Sequence, residues 1–386
     1  MTLLDELKAL ILKYDTQVAE QPPSAEEPAS EPEPVPASEP APADPAPVDP
    51  VPAPPIIGTT IAVDGQDLLD KLASAADGDT IGLTEGGEFG ALTIAGVRKK
   101  VTIEGSAHFD SLKIKASSGL TFRSFAVYPT TKPVIGKAKL FNIQAEPDTS
   151  DLVFDDLQLQ GSADAQNWLN WTLQDWTDWR MGGIWTRGPR CTINGCRAIG
   201  VQMGYTLSGP DSHATNNVVF GFSDDALRFN GDNSSAVGNI LTDRVKINED
   251  HPDGIQCFKT TGPLVGLLLS GNIIADRTQN IAPALRTHLQ GIGMHNGPYA
   301  DVTITNNQIT TVSTLGISVN NCDGLLIEGN VCKHTDGLWG KYPSIRVENA
   351  PTPNWQVTNN VAHTFILPSG TWIMKPAPGN SCPVYA

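Results

Sequence analysis

Two motifs recur through the second half of the chain and restrict its fold more than any other feature. In one, an asparagine ends a short β-branched run just before the next run begins, at Asn217, Asn239, Asn272, Asn307, Asn330 and Asn360. In the other, a small residue and an aliphatic residue open a run, at Gly183-Ile184, Gly200-Val201, Ala226-Leu227, Gly254-Ile255, Gly291-Ile292, Gly316-Ile317 and Ser344-Ile345. The spacings in this second ladder, 17 to 37 residues, are typical of stacked coils with loop insertions.

The two ladders predict a stack of parallel coils, because an ordinary β-sandwich would not keep both motifs in register over about 180 residues. Asparagine tolerates the left-handed backbone of a tight corner, and its side chain can bond to the next asparagine in a stack. We therefore expect the asparagines at corners and the small-aliphatic pairs at the starts of strands.

The region that precedes the ladders has the elements expected at the first coil. After Ile57 the sequence predicts a short strand, a helix from about Gln66 to Ala76 and a second strand around Thr80–Leu83. A helix in this place would cover the open end of the stack.

The same region carries a resemblance to a known family. The run GDTIGL at 78–83, followed by Gly86 or Gly87 and Phe89, resembles the entrance of pectin-lyase-like right-handed parallel β-helices, whose first coil is covered by a helix. The resemblance implies an all-β domain over residues 56–386, a right-handed parallel β-helix (solenoid) with an N-terminal capping helix.

Two segments of different composition precede this domain. Residues 1–20 are predicted to form a docking or oligomerisation helix, because apolar residues alternate at intervals of three and four, at Leu4, Leu7, Ile11, Tyr14 and Val18. Residues 21–55 are predicted to be a semi-rigid tether rich in polyproline II, because they hold 14 prolines and seven acidic residues with no Lys or Arg.

Charge and composition exclude several classes of partner. The formal net charge of −16 makes the surface a poor partner for phosphate backbones, so we expect no nucleic-acid binding. Asp5 and Glu6 stand where a secretory signal carries positive charge, and no apolar run is long enough to span a bilayer, so we expect neither a signal peptide nor membrane insertion. The six cysteines lack paired metal spacings and are expected to be reduced core thiols.

The strongest functional signal lies between Phe222 and Phe258. Asp224 and Asp225 precede one short strand, and Asp250 and Asp253 precede a second strand 28 residues later. If the two strands lie on adjacent coils, Asp225 stacks on Asp253 at roughly the 4.8 Å spacing of neighbouring strands. Such a pair is costly unless it is protonated, cation-bound or well solvated.

Alternation of side chains along the strands predicts an outward face suited to hydroxyl-rich ligands. Its first column is predicted to hold Trp185, Gln202, Arg228, Gln256, Gly293, Ser318 and Arg346. Its second column is predicted to hold Arg187, Gly204, Asn230, Phe258, His295, Asn320 and Glu348. His251 and His288 fall in register two places before Asp253 and Gln290. Five of the eight tryptophans lie in residues 168–185. Their indoles either stack on sugar rings or form a packed lid, and the sequence leaves both alternatives open.

These patterns give two sets of candidate site residues and no metal ligands. The candidate catalytic residues are Asp225, Asp253, Asp224, Asp250, Arg228 and His251. The candidate substrate-binding residues are Trp185, Gln256, His288, His295, Asn230 and Arg346. For the acids the alternative is turn chemistry, since Asp caps and bends chains readily.

The acidic elements also resemble those of polygalacturonase-type glycoside hydrolases, which carry an Asp pair, a further Asp and a basic signature. The resemblance matches Asp224 and Asp225 to the pair and Asp250 or Asp253 to the third carboxylate, while the NTD and GHG motifs of that family are absent. The layout of the whole chain, a helix, a stiff tether and an acidic β-helix, is similar to that of phage or gene-transfer-particle spikes.

The resulting hypothesis is a virion-associated spike that recognises, and in one version degrades, bacterial surface polysaccharide along the outward face. It implies a virion-surface location, other virion proteins as partners of the N-terminal helix, and a homo-oligomer, with a trimer as one option. Whether the protein is an enzyme stays open. A hydrolase would use Asp225 and Asp253 as acid and base, whereas a lyase acting on capsular or extracellular polysaccharide would use Arg228 as base and Asp-bound Ca²⁺. A structural spike without ligand is the third alternative.

Overall fold

The computed structural model describes residues 59–134, 140–249, 251–336, 343–351, 354–368, 372–373 and 379–381. These residues belong to one unit, Gly58–Ala386. The predicted N-terminal helix at 1–20 and the tether at 21–55 lie outside the described residues, as do Asp250 and Cys382.

Short strands of successive coils pair side by side in three sheets, named A, B and C here. Sheet A contains β1 (Thr59–Ala62), β2 (Thr80–Leu83), β4 (Arg98–Glu104), β7 (Ser118–Arg123), β10 (Val153–Asp155), β13 (Thr192–Asn194), β16 (His213–Thr215), β19 (Ser235–Val237), β22 (Leu264–Val265), β23 (Leu268–Ser270), β26 (Tyr299–Thr305), β29 (Cys322–Glu328) and β32 (Trp355–Thr358). Sheet B contains β5 (His108–Phe109), β8 (Ala126–Val127), β11 (Gln158–Gln160), β14 (Arg197–Val201), β17 (Val218–Phe222), β20 (Ile240–Arg244), β24 (Ile273–Ala275), β27 (Gln308–Thr310) and β30 (Val331–Lys333). Sheet C contains β3 (Ala91–Ala95), β6 (Ser111–Lys115), β9 (Leu140–Ala145), β12 (Met181–Thr186), β15 (Tyr205–Leu207), β18 (Leu227–Phe229), β21 (Asp253–Cys257), β25 (Gln290–Met294), β28 (Leu315–Asn320), β31 (Ser344–Glu348), β33 (Thr364–Ile366) and β34 (Trp372–Ile373).

From β4 to β31 the chain passes through sheets A, B and C in turn, and strands of neighbouring coils pair in parallel. The final pair, β33 with β34, is antiparallel. The domain is therefore a parallel β-helix, and the fold predicted from the ladders is confirmed.

The predicted first coil is also present. Helix α1 (Gly65–Ser74) follows β1, and the side chain of Asp64 accepts a hydrogen bond from the backbone N–H of Asp67 at its start. Leu68 and Leu72 are buried in the same core as the β-helix interior, so one face of α1 closes the end of the stack. No helix among the described residues is long and apolar enough to cross a membrane.

The remaining helices are short and lie between strands. They are α2 (Leu173–Asp178) and the 3-10 turns Ala165–Asn170 and Pro283–Leu285. The first two belong to the tryptophan-rich insertion, which therefore folds as a compact helical loop before β12.

The interior of the coil is a continuous apolar column. Leu227, Ile255, Ile292, Ile317 and Ile345 occupy paired positions on successive strands of sheet C, and none is more than 1% exposed. Full burial of such a side chain contributes about 1.5–3 kcal/mol. The cysteines of the described residues are free and buried, as predicted; they are Cys191, Cys196, Cys257, Cys322 and Cys332.

The asparagine ladder forms as predicted, with every member fully buried. The Oδ1 atom of Asn239 accepts from the backbone N–H and the Nδ2 of Asn217, at 3.0 and 2.9 Å. The same two bonds repeat between each later pair of neighbours, down to Asn360, and continue to Asn380, which the sequence pattern did not single out. Each side chain thus caps the corner of the coil before it.

The ladder asparagines were expected to adopt the left-handed backbone at these corners. The structure shows that the residue before each ladder asparagine adopts it instead. Asn216, Asn306 and Asn359 have φ values of 55, 57 and 56°, and Gly238 and Gly271 have φ values of 67 and 65°. The ladder asparagine is therefore selected for its amide, and its predecessor for conformation.

One step of the small-aliphatic ladder was predicted wrongly. Val201 lies in β14 of sheet B, and the partner of Ile184 in sheet C is Tyr205, which in turn pairs with Leu227. Gly200 has a φ of 60°, and a Cβ built on it would lie 2.9 Å from the Cβ of Ala165, so it serves a bend beneath the insertion. In the outward columns Thr206 accordingly replaces Gln202.

Candidate functional site

The two acidic motifs lie on adjacent coils, as their spacing predicted. Strands β18 and β21 pair with Leu227 opposite Ile255 and Arg228 opposite Gln256. Asp225 and Asp253 stand two residues before this pair on their strands, and Asp225 Oδ1 accepts the backbone N–H of Asp253 at 2.9 Å. The carboxylate of the first coil therefore caps the start of the next strand.

Each carboxylate also bonds to the outward side chain three residues further along. Asp225 Oδ2 accepts from Nε of Arg228 at 2.9 Å and from its Nη2. Asp253 Oδ2 accepts from Nε2 of Gln256 at 3.2 Å. Two acids, an arginine and an amide thus form one network across two coils, which we call the carboxylate stack (Asp225, Arg228, Asp253 and Gln256).

Asp225 and Asp253 are buried, at 1% and 0% exposure. The expectation that they lie on the ligand face beside Arg228 is therefore wrong as regards their exposure. Asp253 Oδ1 has no hydrogen-bond partner in the described part of the chain. Residue 293 lies beside it, and a Cβ built there would be 2.3 Å from this oxygen, so Gly293 leaves the space that the carboxyl group fills. The proposed roles of the acids as acid and base in catalysis stay predictions.

Burial dominates the electrostatics of the stack. It raises the pKa of Asp225 to about 6, although Arg228 acts in the opposite direction. Burial and the charge of Asp225 raise the pKa of Asp253 well above its ordinary value. Both carboxyl groups therefore resist ionisation, and Arg228 is the cation that opposes this effect at Asp225.

The other predicted catalytic residues lie at different distances from this network. Asp224 is half-buried; its Oδ1 accepts the N–H of Asp225 at 3.1 Å and lies 3.8 Å from Nη2 of Arg228. Asp250 is outside the described residues. His251 is exposed and lines a separate cavity next to the stack.

That cavity, of about 270 Å³, is formed by the loops that lead into β21 and β25. Its lining residues are Lys246, Asn248, Glu249, His251, Arg286, Thr287 and His288. We call it the loop pocket. The predicted register of His251 with His288 agrees with their joint presence here, but the pocket's cations were not predicted, because they lie in loops that strand periodicity does not describe.

The outward face of sheet C carries most of the predicted substrate-binding residues. Paired positions on successive strands place in one column Trp185, Thr206, Arg228, Gln256, Gly293, Ser318 and Arg346. Asn230 donates to the carbonyl of Phe258 at 2.7 Å, and the guanidinium of Arg228 lies 5.4 Å from the ring of Phe258. The face is therefore a set of polar groups held by contacts between coils.

The two ends of this face are ordered by further contacts. Nε1 of Trp185 donates to Ser208 at 3.1 Å, and the guanidinium of Arg187 lies 4.4 Å from the indole. Nε2 of His295 lies 3.1 Å from Oε1 of Gln290, and burial lowers the pKa of this histidine. Arg346 pairs with Glu348 at 2.5 Å.

The tryptophan-rich insertion is a packed lid and not a sugar platform. Trp168, Trp171 and Trp176 are 2 to 6% exposed and pack edge to face, with ring centroids 5.1 and 6.1 Å apart. They share a second apolar cluster with Ile199 and Phe220 of sheet B. The insertion covers the outer surface of sheet B, and the packing alternative holds for these three residues.

The carboxylate stack does not fit the Ca²⁺ of the lyase alternative. No group of three or more His, Cys, Asp or Glu side chains suited to a metal ion occurs among the residues described. The oxygens of Asp225 are taken by the guanidinium of Arg228 and the amide of Asp253, so a cation already neutralises this carboxylate.

Comparison with known proteins gives likeness of fold alone. No family model matches the chain, and no curated protein matches it. Among solved structures, the A-module of a mannuronan C-5 epimerase from Azotobacter vinelandii is 11% identical, with a TM-score of 0.48 over 82% of this chain and 93% of that one. The tailspike of E. coli bacteriophage HK620, crystallised with a pentasaccharide, is 11% identical, with a TM-score of 0.41 over 82% and 74%. A pectate lyase is 11% identical, with a TM-score of 0.38 over 79% and 80%.

Proposed function

We propose that the outward face of sheet C recognises a bacterial cell-surface polysaccharide. The observation that carries the proposal is the carboxylate stack. Two buried acids cost free energy to desolvate, yet their hydrogen bonds go to Arg228 and Gln256, which both belong to the outward column. A buried network that holds surface donors in fixed orientations is what a pre-organised binding site requires.

The geometry of the face suits a chain of sugars. Coils repeat at roughly 4.8 Å, so successive outward residues offer hydrogen-bonding groups at the scale of single sugar units. Arg228, Gln256 and Arg346 provide donors and an amide acceptor along one line, with Trp185 at the opposite end from Arg346. Hydroxyl-rich ligands need this mixture of amide, guanidinium and aromatic groups more than they need a deep apolar pocket.

Cleavage of the polysaccharide is the second candidate function. Glycoside hydrolysis uses two neighbouring carboxyl groups as acid and base, and Asp225 and Asp253 are such neighbours, both with raised pKa values. Both groups are buried, so cleavage requires the ligand to displace the side chains of Arg228 or Gln256. Binding without cleavage needs no such movement, and we favour it for that reason.

The setting of the domain is part of the proposal. Residues 1–20 would dock on other virion proteins or join copies of the chain, and residues 21–55 would hold the β-helix away from the particle as a spike. Removal of residues 1–20 is expected to leave a folded domain that no longer assembles or docks. Sedimentation of the truncated and intact chains tests this, and unchanged mass with normal incorporation into the particle would contradict it.

The direct test is a binding and product assay with purified envelope polysaccharides. Gln256→Ala is expected to weaken binding by about tenfold, since it removes one outward donor and frees the Asp253 carboxyl. Gln356→Ala is the matched control, because Gln356 is an exposed glutamine on sheet A. New reducing ends would show a hydrolase, and products absorbing near 235 nm, a rough wavelength for unsaturated uronates, would show a lyase. Absence of binding to every polysaccharide would overturn the proposal.

A further inference from the structure

The loop pocket is a concentration of positive charge on an acidic protein. The chain carries −16, of which −9 falls in residues 1–55, which leaves −7 for the β-helix domain. Lys246 and Arg286 nevertheless line one cavity together with His251 and His288. Glu249 is the acidic residue among the lining residues described; its side chain is 90% exposed and pairs with Lys246 at 2.7 Å.

The pKa of His288 is also affected by this positive charge. Its pKa is lowered first by burial and then by the charges of Arg244, His251 and Lys246. Arg244 is itself buried behind the pocket wall, where Nη1 donates to Oγ1 of Thr287 at 2.5 Å. The neighbouring positive charges that contribute to this lowered pKa also attract anions, because the same field acts on an anion with opposite sign.

The pocket lies in line with the carboxylate stack. Asp253 pairs with Gln290 on the neighbouring coil, and His251 and His288 stand two residues before them. Gln256 is five residues after His251, a span of roughly 17 Å of extended chain, so a segment of a few sugar units would reach from the pocket to Gln256. The backbone N–H of Gln290 donates to the carbonyl of Pro252 at 3.0 Å, which ties the two loops together at this point.

We infer that the loop pocket binds an anionic substituent of the polysaccharide, a carboxylate or a phosphate group. This inference rests on the proposed function, since it names the class of polysaccharide that the sheet C face would take. The cavity of about 270 Å³ admits one sugar unit with its substituent. Lys246 supplies a mobile ammonium group, and the two histidines supply ring N–H donors.

The test compares charged and neutral forms of one polysaccharide. Acidic surface polysaccharides that bind the full-length protein are treated in two ways, by chemical reduction of their carboxyl groups and by removal of their phosphates. Loss of binding after one treatment identifies the anion. Equal binding of the native and both treated forms overturns the inference while the proposed function stands. Failure of all polysaccharides to bind overturns both.

Two variants that change the charge of the loop pocket in opposite directions test whether the anion binds there. Lys246→Gln removes a half-exposed cation that bonds to an exposed partner, so the fold is kept, and we expect binding to weaken by about three- to fivefold. Glu249→Gln removes the neighbouring anion, and binding is expected to tighten by about threefold. Unchanged affinity in both variants, with binding still lost on treatment, would place the anion elsewhere and overturn the inference.

A spectroscopic readout separates binding in the pocket from a general charge effect. An anion next to His288 stabilises its protonated form, so its pKa is expected to rise when the acidic polysaccharide binds and to stay constant with the treated form. Histidine ring signals followed by NMR across pH 5 to 8, roughly the range in which imidazoles titrate, measure this. A shift confined to His363, which is not a lining residue of the pocket, would contradict the inference.

Discussion

The asparagine ladder and the carboxylate stack are both columns of polar side chains on successive coils, yet they are opposite in energetics. In the ladder the oxygen of each buried amide accepts from the asparagine of the coil before it, and its Nδ2 donates to the asparagine of the next coil, so no side-chain hydrogen-bonding atom of Asn272 is left without a partner. In the stack, Asp253 keeps an oxygen without a partner among the described residues, and both acids resist ionisation. The ladder stabilises the coil, whereas the stack costs stability and orients surface groups.

The largest effect is expected in the ladder. Asn272→Ala leaves the N–H of Asn239 without its acceptor and the carbonyl of Ala236 without this amide donor, and it removes one of the two hydrogen bonds to Oδ1 of Asn307, all in a fully buried corner. At about 1–3 kcal/mol for each group, the free energy of unfolding should fall by roughly 4 kcal/mol. Denaturant unfolding measures it. Asn354→Ala, which removes an exposed amide bonded to Asp323, is the control and should cost less than about 1 kcal/mol.

The next effect is a loss of stability with rising pH that comes from the stack. Because the pKa of Asp225 is raised from 3.8 to about 6 on folding, the folded state holds this proton more tightly than the unfolded state. The contribution of the Asp225 proton to the free energy of unfolding is fully present below pH 3.8 and is lost as the pH rises through about 6. The total loss is about 3 kcal/mol. Asp253 extends the loss to higher pH. In Asp225→Asn the difference between pH 4 and pH 7, approximate limits of this window, should shrink; an unchanged profile would show that the acids are not buried as described.

A smaller effect separates the stack from an ordinary buried corner. Asp253→Asn resembles the protonated carboxyl in shape and charge, so the melting temperature near neutral pH should stay the same or rise by a few degrees. Asp243→Asn is the comparison, because Asp243 is equally buried but accepts from two backbone N–H groups and the hydroxyl of Thr278. It should lose about 1–2 kcal/mol. Equal losses in both variants would make Asp253 a structural turn residue.

The sequence predicted the register of the stack because both acidic motifs precede a small residue and an aliphatic residue, 28 positions apart. It did not predict how the acids are buried, because strict alternation, which puts Asp253 on the same side of the strand as Ile255, fails at this point. Ile255 is fully buried, and a Cβ on Gly254 would lie 2.5 Å from Ile274 inside the coil, so two consecutive positions face the interior. A period of two cannot assign a side chain that precedes two consecutive interior positions.

The insertions were harder to predict than the coils. Five tryptophans in one segment are compatible with sugar stacking and with packing, and only the left-handed glycines beneath them distinguish the two. A Cβ on Gly221 would lie 2.7 Å from the ring of Trp168, which shows an indole packed flat on the backbone of sheet B. The loop pocket was missed because Lys246 and Arg286 are far apart in sequence and in segments without periodicity.

The most direct test removes the ion pair of the stack as a unit. Asp225→Asn combined with Arg228→Gln leaves no buried charge without a partner, and such replacements of a buried pair are often neutral or stabilising. We expect the double variant to melt within a few degrees of the unmodified protein or above it. Its binding to the polysaccharide should be weaker by at least about tenfold, or about 1.4 kcal/mol. Unchanged binding in the double variant would contradict it, because the network would then orient nothing that the ligand contacts.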